Sequence, residues 1–152
     1  MGNWFNPNMN KTTVPVVVSR FIDAPLQRVY DAWLIPQNAS KWLFATPTGH
    51  MIRAEIDPTV GGKFRFTDRR DGDDVDHVGK FLELLPSRRI VFTFTVPKYS
   101  KEETLVRVDF SAKGKGTKVL LTHDGVLPEG SAKTMEGWTK ILDGLAKEVT
   151  AA

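Results

Sequence analysis

The side chains best able to move a proton are three histidines, His50, His77 and His123. A zinc site would need such imidazoles to converge at about 2.0–2.1 Å from one ion, each ring oriented by a further partner. Their spacing contains no i, i+4 pair and the chain has no cysteine, so neither a metal nor a cofactor is expected. His123 stands apart, because alternation places it with Val119 and Leu121 on the apolar side of the last strand, opposite Lys118. A neutral imidazole there can bond a ligand's oxygen or act as a general acid, aided by Tyr30 or Asp109. The competing reading is a core histidine bonded to backbone. No catalytic residue is assigned, and His123 is the one candidate. Arg53, Glu55, Arg65 and Arg107 lie on strands with one buried face. Their outward placement is expected, although a bulge could turn one inward to anchor a carboxylate.

The established enzymatic motifs are absent: no Gly-x-Ser-x-Gly elbow, no His-Glu-x-x-His and no Gly-x-x-x-x-Gly-Lys loop. Gly61-Gly62 is too short to cradle a phosphate and reads as a backbone requirement of a turn. The expectation is a binding protein and not an enzyme, with cyclase or hydrolase activity left open.

The elements that must position these groups follow from periodicity. Val14 to Ile22 is rich in β-branched residues, with Pro15 favouring a strand start or sheet edge. Ala24-Pro25 opens a short helix, since Leu26, Val29, Tyr30 and Trp33 recur at i, i+3, i+4 and i+7. Pro36 ends it, and residues 38–42 have room for one more helical turn. Six strands are expected next, over 51–56, 63–67, 75–85, 88–96, 104–112 and 117–123, separated by Gly, Pro and Asp turns. Thr104, Val106, Val108 and Phe110 share the inward face of one of them. Residues 131–150 then form a long helix, with Met135, Trp138, Ile141, Leu142, Leu145 and Val149 on one stripe. The plan is α+β: a seven-stranded curved antiparallel sheet around a long C-terminal helix, with two short helices after strand one. Residues 1–12 read as a flexible tail and 13–152 as a single domain.

A cavity between sheet and helix is the expected binding site. Its candidate lining is Trp33, Trp42, Phe64, Phe66, Phe92, Phe94, Val106, Phe110, Leu121, His123, Trp138 and Leu142. Gly137 and Gly144 stand seven apart on the last helix, where each costs about 1 kcal/mol relative to alanine. Close packing and a pocket wall explain the pair equally well.

The 152 residues suit one core, and a charge of +3 from 21 basic and 18 acidic residues demands no polyanionic partner. Arg69-Arg70 runs into Asp71, Asp73 and Asp74, so that cluster is expected to neutralise itself, and Lys113, Lys115 and Lys118 read as a solvated hairpin tip. Nucleic acid is not an expected partner. No apolar run approaches the roughly 20 residues that span a bilayer and no leader pattern opens the chain, so the protein is expected to be cytoplasmic. It is expected to be a monomer or weak homodimer.

Four segments resemble a known family. They are Ile22-Asp23-Ala24-Pro25 with Val29 and Trp33; Val60-Gly61-Gly62-Lys63-Phe64; Gly79 to Pro86 with Arg89-Ile90-Val91-Phe92-Thr93-Phe94; and Gly116-Thr117-Lys118-Val119 through Thr122-His123, with Gly137-Trp138 and Leu142 beyond. In order and spacing they resemble the helix-grip domains of the Bet v 1/START-like (SRPBCC) superfamily, within it the group similar to the C-terminal domain of activators of the Hsp90 ATPase. The resemblance implies a sheet gripping the C-terminal helix around a ligand cavity, as in lipid carriers, hormone receptors and polyketide cyclases. It also implies a small hydrophobic or amphipathic ligand, or else a chaperone partner and a role in stress response. The separate N-terminal chaperone-binding domain of true activators has no room in 152 residues.

Overall fold

The computed structural model describes residues 12–150, so the expected tail falls almost wholly outside the described residues. The chain runs β1 (Val14–Ile22), α1 (Leu26–Asp31), α2 (Pro36–Ala39), β2 (His50–Ile56), β3 (Lys63–Arg70), β4 (Asp73–Leu85), β5 (Arg89–Phe94), β6 (Thr104–Lys113), β7 (Gly116–Val126), a 3₁₀ turn (Pro128–Gly130) and α3 (Ser131–Thr150). All seven strands join one antiparallel sheet in the order β1-β7-β6-β5-β4-β3-β2. β2 through β7 form a meander, and β1 returns to pair with β7. Pro15 therefore sits on an edge strand, and the β1–β7 register slips beside it, where its nitrogen has no proton to give the ladder.

Inward side chains follow the period of two. Val106, Val108 and Phe110 on β6 face the core with Val119 and Leu121 on β7 and Val16, Val18 and Ile22 on β1. Against this face lie Trp138, Leu142, Leu145, Ala146 and Val149 of α3, all buried. Leu142 and Leu145 have no exposed surface, and burying each contributes about 1.5–3 kcal/mol.

Strand β4 changes partner along its length, pairing with β3 over residues 73–80 and with β5 from Phe81 onward. Gly79 lies just before this change. A Cβ there would overlap the Thr93 carbonyl oxygen and lie 2.5 Å from the Phe64 ring, so only glycine lets β3 and β5 approach β4 this closely. At the β3–β4 turn, Asp71 and Gly72 both take positive φ, +50° and +83°, the pattern of a tight type I′ hairpin.

Three expectations need correction. Pro36 does not merely end the first helix; it occupies the opening turn of α2, where its missing N–H has no bond to lose. Met135, expected on the buried stripe, is 47% exposed, because it lies on the margin of that stripe near the start of α3. β3 continues past Thr67 to Arg70 and β7 past His123 to Val126, which changes what the ends of both strands can reach.

Candidate functional site

The packed core leaves little room. The gap among Trp33, Phe64, Phe66, Phe81 and Phe92 amounts to about 10 Å³, scarcely one water. The usable space lies beside α3, where a cleft of about 730 Å³ opens along the helix's flank. Thr134, Gly137, Ile141 and Gly144 recur at helical spacing and form its α3 wall. The opposite wall comes from the segment after α2 (Trp42, Phe44, Ala45, Thr46, Pro47), from Arg70 and His77, and from Phe94 and Val96, with His123 and Trp138 deeper in.

The two glycines divide the roles that the sequence left open. A Cβ on Gly144 would sit 3.2 Å from the Cβ of Trp42, so this position serves close packing. A Cβ on Gly137 meets nothing within 4 Å, so this position keeps the cleft open.

His123 is tied down at both ring nitrogens. Trp138 Nε1 donates to Nδ1 at 3.0 Å, which leaves the proton on Nε2, 2.7 Å from Thr104 Oγ1. Thr104 Oγ1 in turn donates to the Phe94 carbonyl at 3.1 Å. Burial pushes the imidazole pKa down from 6.5 to about 4, so the ring is neutral at physiological pH and this tautomer is the one the chain of bonds requires. Its two proposed aides are elsewhere. Tyr30 packs edge-on to Phe110 in the core, and Asp109 lies on the other sheet face, bonded to Arg89 at 2.7 Å and Arg107 at 3.3 Å.

A second polar group, missed by the sequence reading, forms the far end of the cleft. Arg70 turns inward, away from the acidic turn expected to neutralise it, while Arg69 alone pairs with Asp74. Arg70 Nε donates to Asp68 Oδ2 at 2.8 Å, and Nη2 donates to the Phe44 carbonyl at 3.3 Å and to His77 Nε2 at 3.4 Å. Arg70 can only donate, so His77 Nε2 accepts and Nδ1–H faces the Phe66 carbonyl at 3.3 Å. Burial first, and the Arg70 charge second, push the His77 pKa down to about 4. Asp68 is fully buried and also accepts from Thr46 Oγ1 at 2.8 Å. Gly49 closes over it, since a Cβ there would fall within 2.8 Å of both carboxylate oxygens.

Phe44 joins the two clusters. Its ring lies nearly parallel to His77 at 4.8 Å and to Phe94 at 5.0 Å, and its backbone holds φ at +61°, unusual for an aromatic residue. The Arg70 bond to its carbonyl and the two ring contacts hold it there. A signal for Arg70 existed in the sequence: Phe64, Phe66, Asp68 and Arg70 share the period of two, but only if the strand runs three residues beyond Thr67.

Of the candidate lining residues, Trp42, Phe94, His123 and Trp138 meet at the cleft. Trp33, Phe64, Phe66 and Phe92 surround the small gap instead, and Val106, Phe110, Leu121 and Leu142 belong to the packed core. Arg53, Glu55 and Arg65 are exposed and Arg107 is half-buried on the outer face. Gly61 takes φ +89° and pairs by backbone with Phe81, as a turn requires. His50 is exposed on β2, and among the described residues no three metal-ligating side chains cluster.

The sequence model of the family described as activator of Hsp90 ATPase homolog 1-like protein matches residues 23–150. The chain belongs to this family. Its fold is shared by several solved structures. Protein CV1439 from Chromobacterium violaceum is 23% identical, covering 91% of this chain and 98% of its own, with a TM-score of 0.80. An AHSA1-like protein from Aeromonas hydrophila is 24% identical over 91% of this chain and 93% of its own, at 0.79. CalU16 from Micromonospora echinospora is 22% identical over 91% and 78%, at 0.70. No curated protein matches the chain significantly. Among the described residues no helix is long and apolar enough to cross a membrane.

Proposed function

We propose that this member of the family binds a small hydrophobic or amphipathic molecule in the cleft beside α3, without transforming it. The observation that carries this reading is the cleft itself: about 730 Å³, the size of small-molecule sites, walled by Trp42, Phe44, Phe94, Trp138 and Ile141 with a few polar groups converging on it. The absence of turnover is inferred from the bonding of the imidazoles. Both nitrogens of His123, and both of His77, are occupied by protein partners, so neither ring offers a free base to a bound molecule.

A thermal-shift screen against lipids and aromatic compounds, repeated on Gly137→Leu, tests the proposal. A Cβ at this position meets nothing within 4 Å, so the leucine side chain starts in open space on the cleft's α3 wall and takes up part of its volume. Ligands should stabilise the wild type and lose that effect in the variant; hits that persist undiminished in Gly137→Leu, or a screen with none, would refute it.

The family description supports a second reading, a partner that modulates chaperone ATP hydrolysis. An Hsp90 ATPase rate that is the same with and without the protein would remove it.

A further inference from the structure

The guanidinium of Arg70 has five N–H donors, and three are accounted for. Nε serves Asp68, and the two protons of Nη2 serve the Phe44 carbonyl and His77 Nε2. The two donors of Nη1 have no acceptor among the described residues, although the side chain is only 27% exposed and forms part of the cleft wall. Asp68 cannot swing round to serve them, because Thr46 Oγ1 and the closely placed Gly49 hold its carboxylate on the other edge of the guanidinium.

Three lysines line the cleft: Lys41 and Lys140 pair with Glu148 at 3.9 Å and Glu136 at 3.0 Å, whereas Lys147 has no carboxylate partner among the described residues. The cleft's one rim carboxylate, Asp143, is already paired with Arg20 at 3.1 Å. His77 accepts from Arg70 and so adds no competing donor at that edge.

Building on the ligand-binding reading above, we propose that the cleft selects apolar molecules carrying one carboxylate, which accepts a hydrogen bond from Nη1 of Arg70 while the apolar body lies along Phe44, Phe94 and Trp138. A charge-assisted hydrogen bond from a guanidinium to a carboxylate is stronger than a neutral one. Aromatic and acyl acids share this chemistry.

The test is calorimetric titration with naphthoate, its neutral amide and decanoate, on wild type and Arg70→Gln. Expected are binding of naphthoate about tenfold or more tighter than naphthamide, loss of that preference in Arg70→Gln, and retention of the amide's own affinity. Comparison of naphthoate with decanoate assigns the body as aromatic or acyl. Because Arg70→Gln strands the buried Asp68, the double variant Asp68→Asn/Arg70→Gln keeps the pocket's polar contacts without charge and should show the same lost preference. Equal binding of acid and amide to the wild type overturns the role of Arg70 while leaving the ligand cleft intact. Binding of none of the three overturns both.

Discussion

Acidification should unfold this protein by a specific route, through two imidazoles that the fold, chiefly by burying them, keeps neutral well below their ordinary pKa. His77 and His123 are each 6% exposed, and each titrates at about 4 in the folded chain against 6.5 when free. The folded pKa lies below the unfolded one, so the unfolded chain takes up protons first. Stability is fully present above about pH 6.5 and is lost as pH falls toward about 4. Between about pH 7.5 and about pH 5 the two-pKa expression gives a loss of about 2 kcal/mol per histidine, hence about 4 kcal/mol for the pair. That is a large share of the roughly 5–15 kcal/mol typical of a domain. Urea unfolding followed by tryptophan fluorescence at several pH values reads the loss directly. His77→Gln and His123→Gln should each start less stable at neutral pH, yet each should lose only about 2 kcal/mol across the same window. A wild-type loss below about 1 kcal/mol, or single variants with the full wild-type slope, would refute the reasoning.

Other expectations follow from single contacts. Trp138→Phe leaves His123 Nδ1 without its donor and should cost roughly 1–3 kcal/mol in urea unfolding, with a change in the His123 ring resonances by NMR. Gly137→Ala should stabilise by up to about 1 kcal/mol, since its Cβ meets open space, whereas Gly144→Ala should gain less or nothing against the Trp42 backbone and Cβ; paired thermal melts decide. Gly79→Ala should cost roughly 3 kcal/mol or more, or prevent folding, because its Cβ would overlap the Thr93 carbonyl; soluble yield and circular dichroism check it. Leu142→Ala should cost about 2–5 kcal/mol while leaving ligand affinity unchanged, because Leu142 belongs to the core and not to the cleft wall.

The regular elements could be read directly because their signals are local. Alternation in Val106, Val108 and Phe110 identifies the inward face of β6 without reference to any other segment, and the spacing of Trp138, Leu142, Leu145 and Val149 does the same for α3. Hairpin turns such as Asp71-Gly72 carry their own φ preferences, so the meander is legible too. Element ends were less so. Stopping β3 at Thr67 hid Asp68 and Arg70, because charged residues next to a turn look like surface until a buried partner is known.

What the linear chain determined by itself was therefore the order of the elements, the apolar face of the sheet and the stripe of the helix that covers it. Tertiary structure alone decided that the helix's buried stripe seals the core while its neighbouring flank, with Gly137, stands over an open cleft. It alone brings Phe44, Arg70, His77 and Phe94 from separate segments to one wall, and gives His123 the indole and hydroxyl that occupy both its nitrogens. The physical reason is range: periodicity arises between residues a few positions apart, whereas a cleft and the protonation of its imidazoles depend on groups far apart in sequence that meet only in the assembled fold.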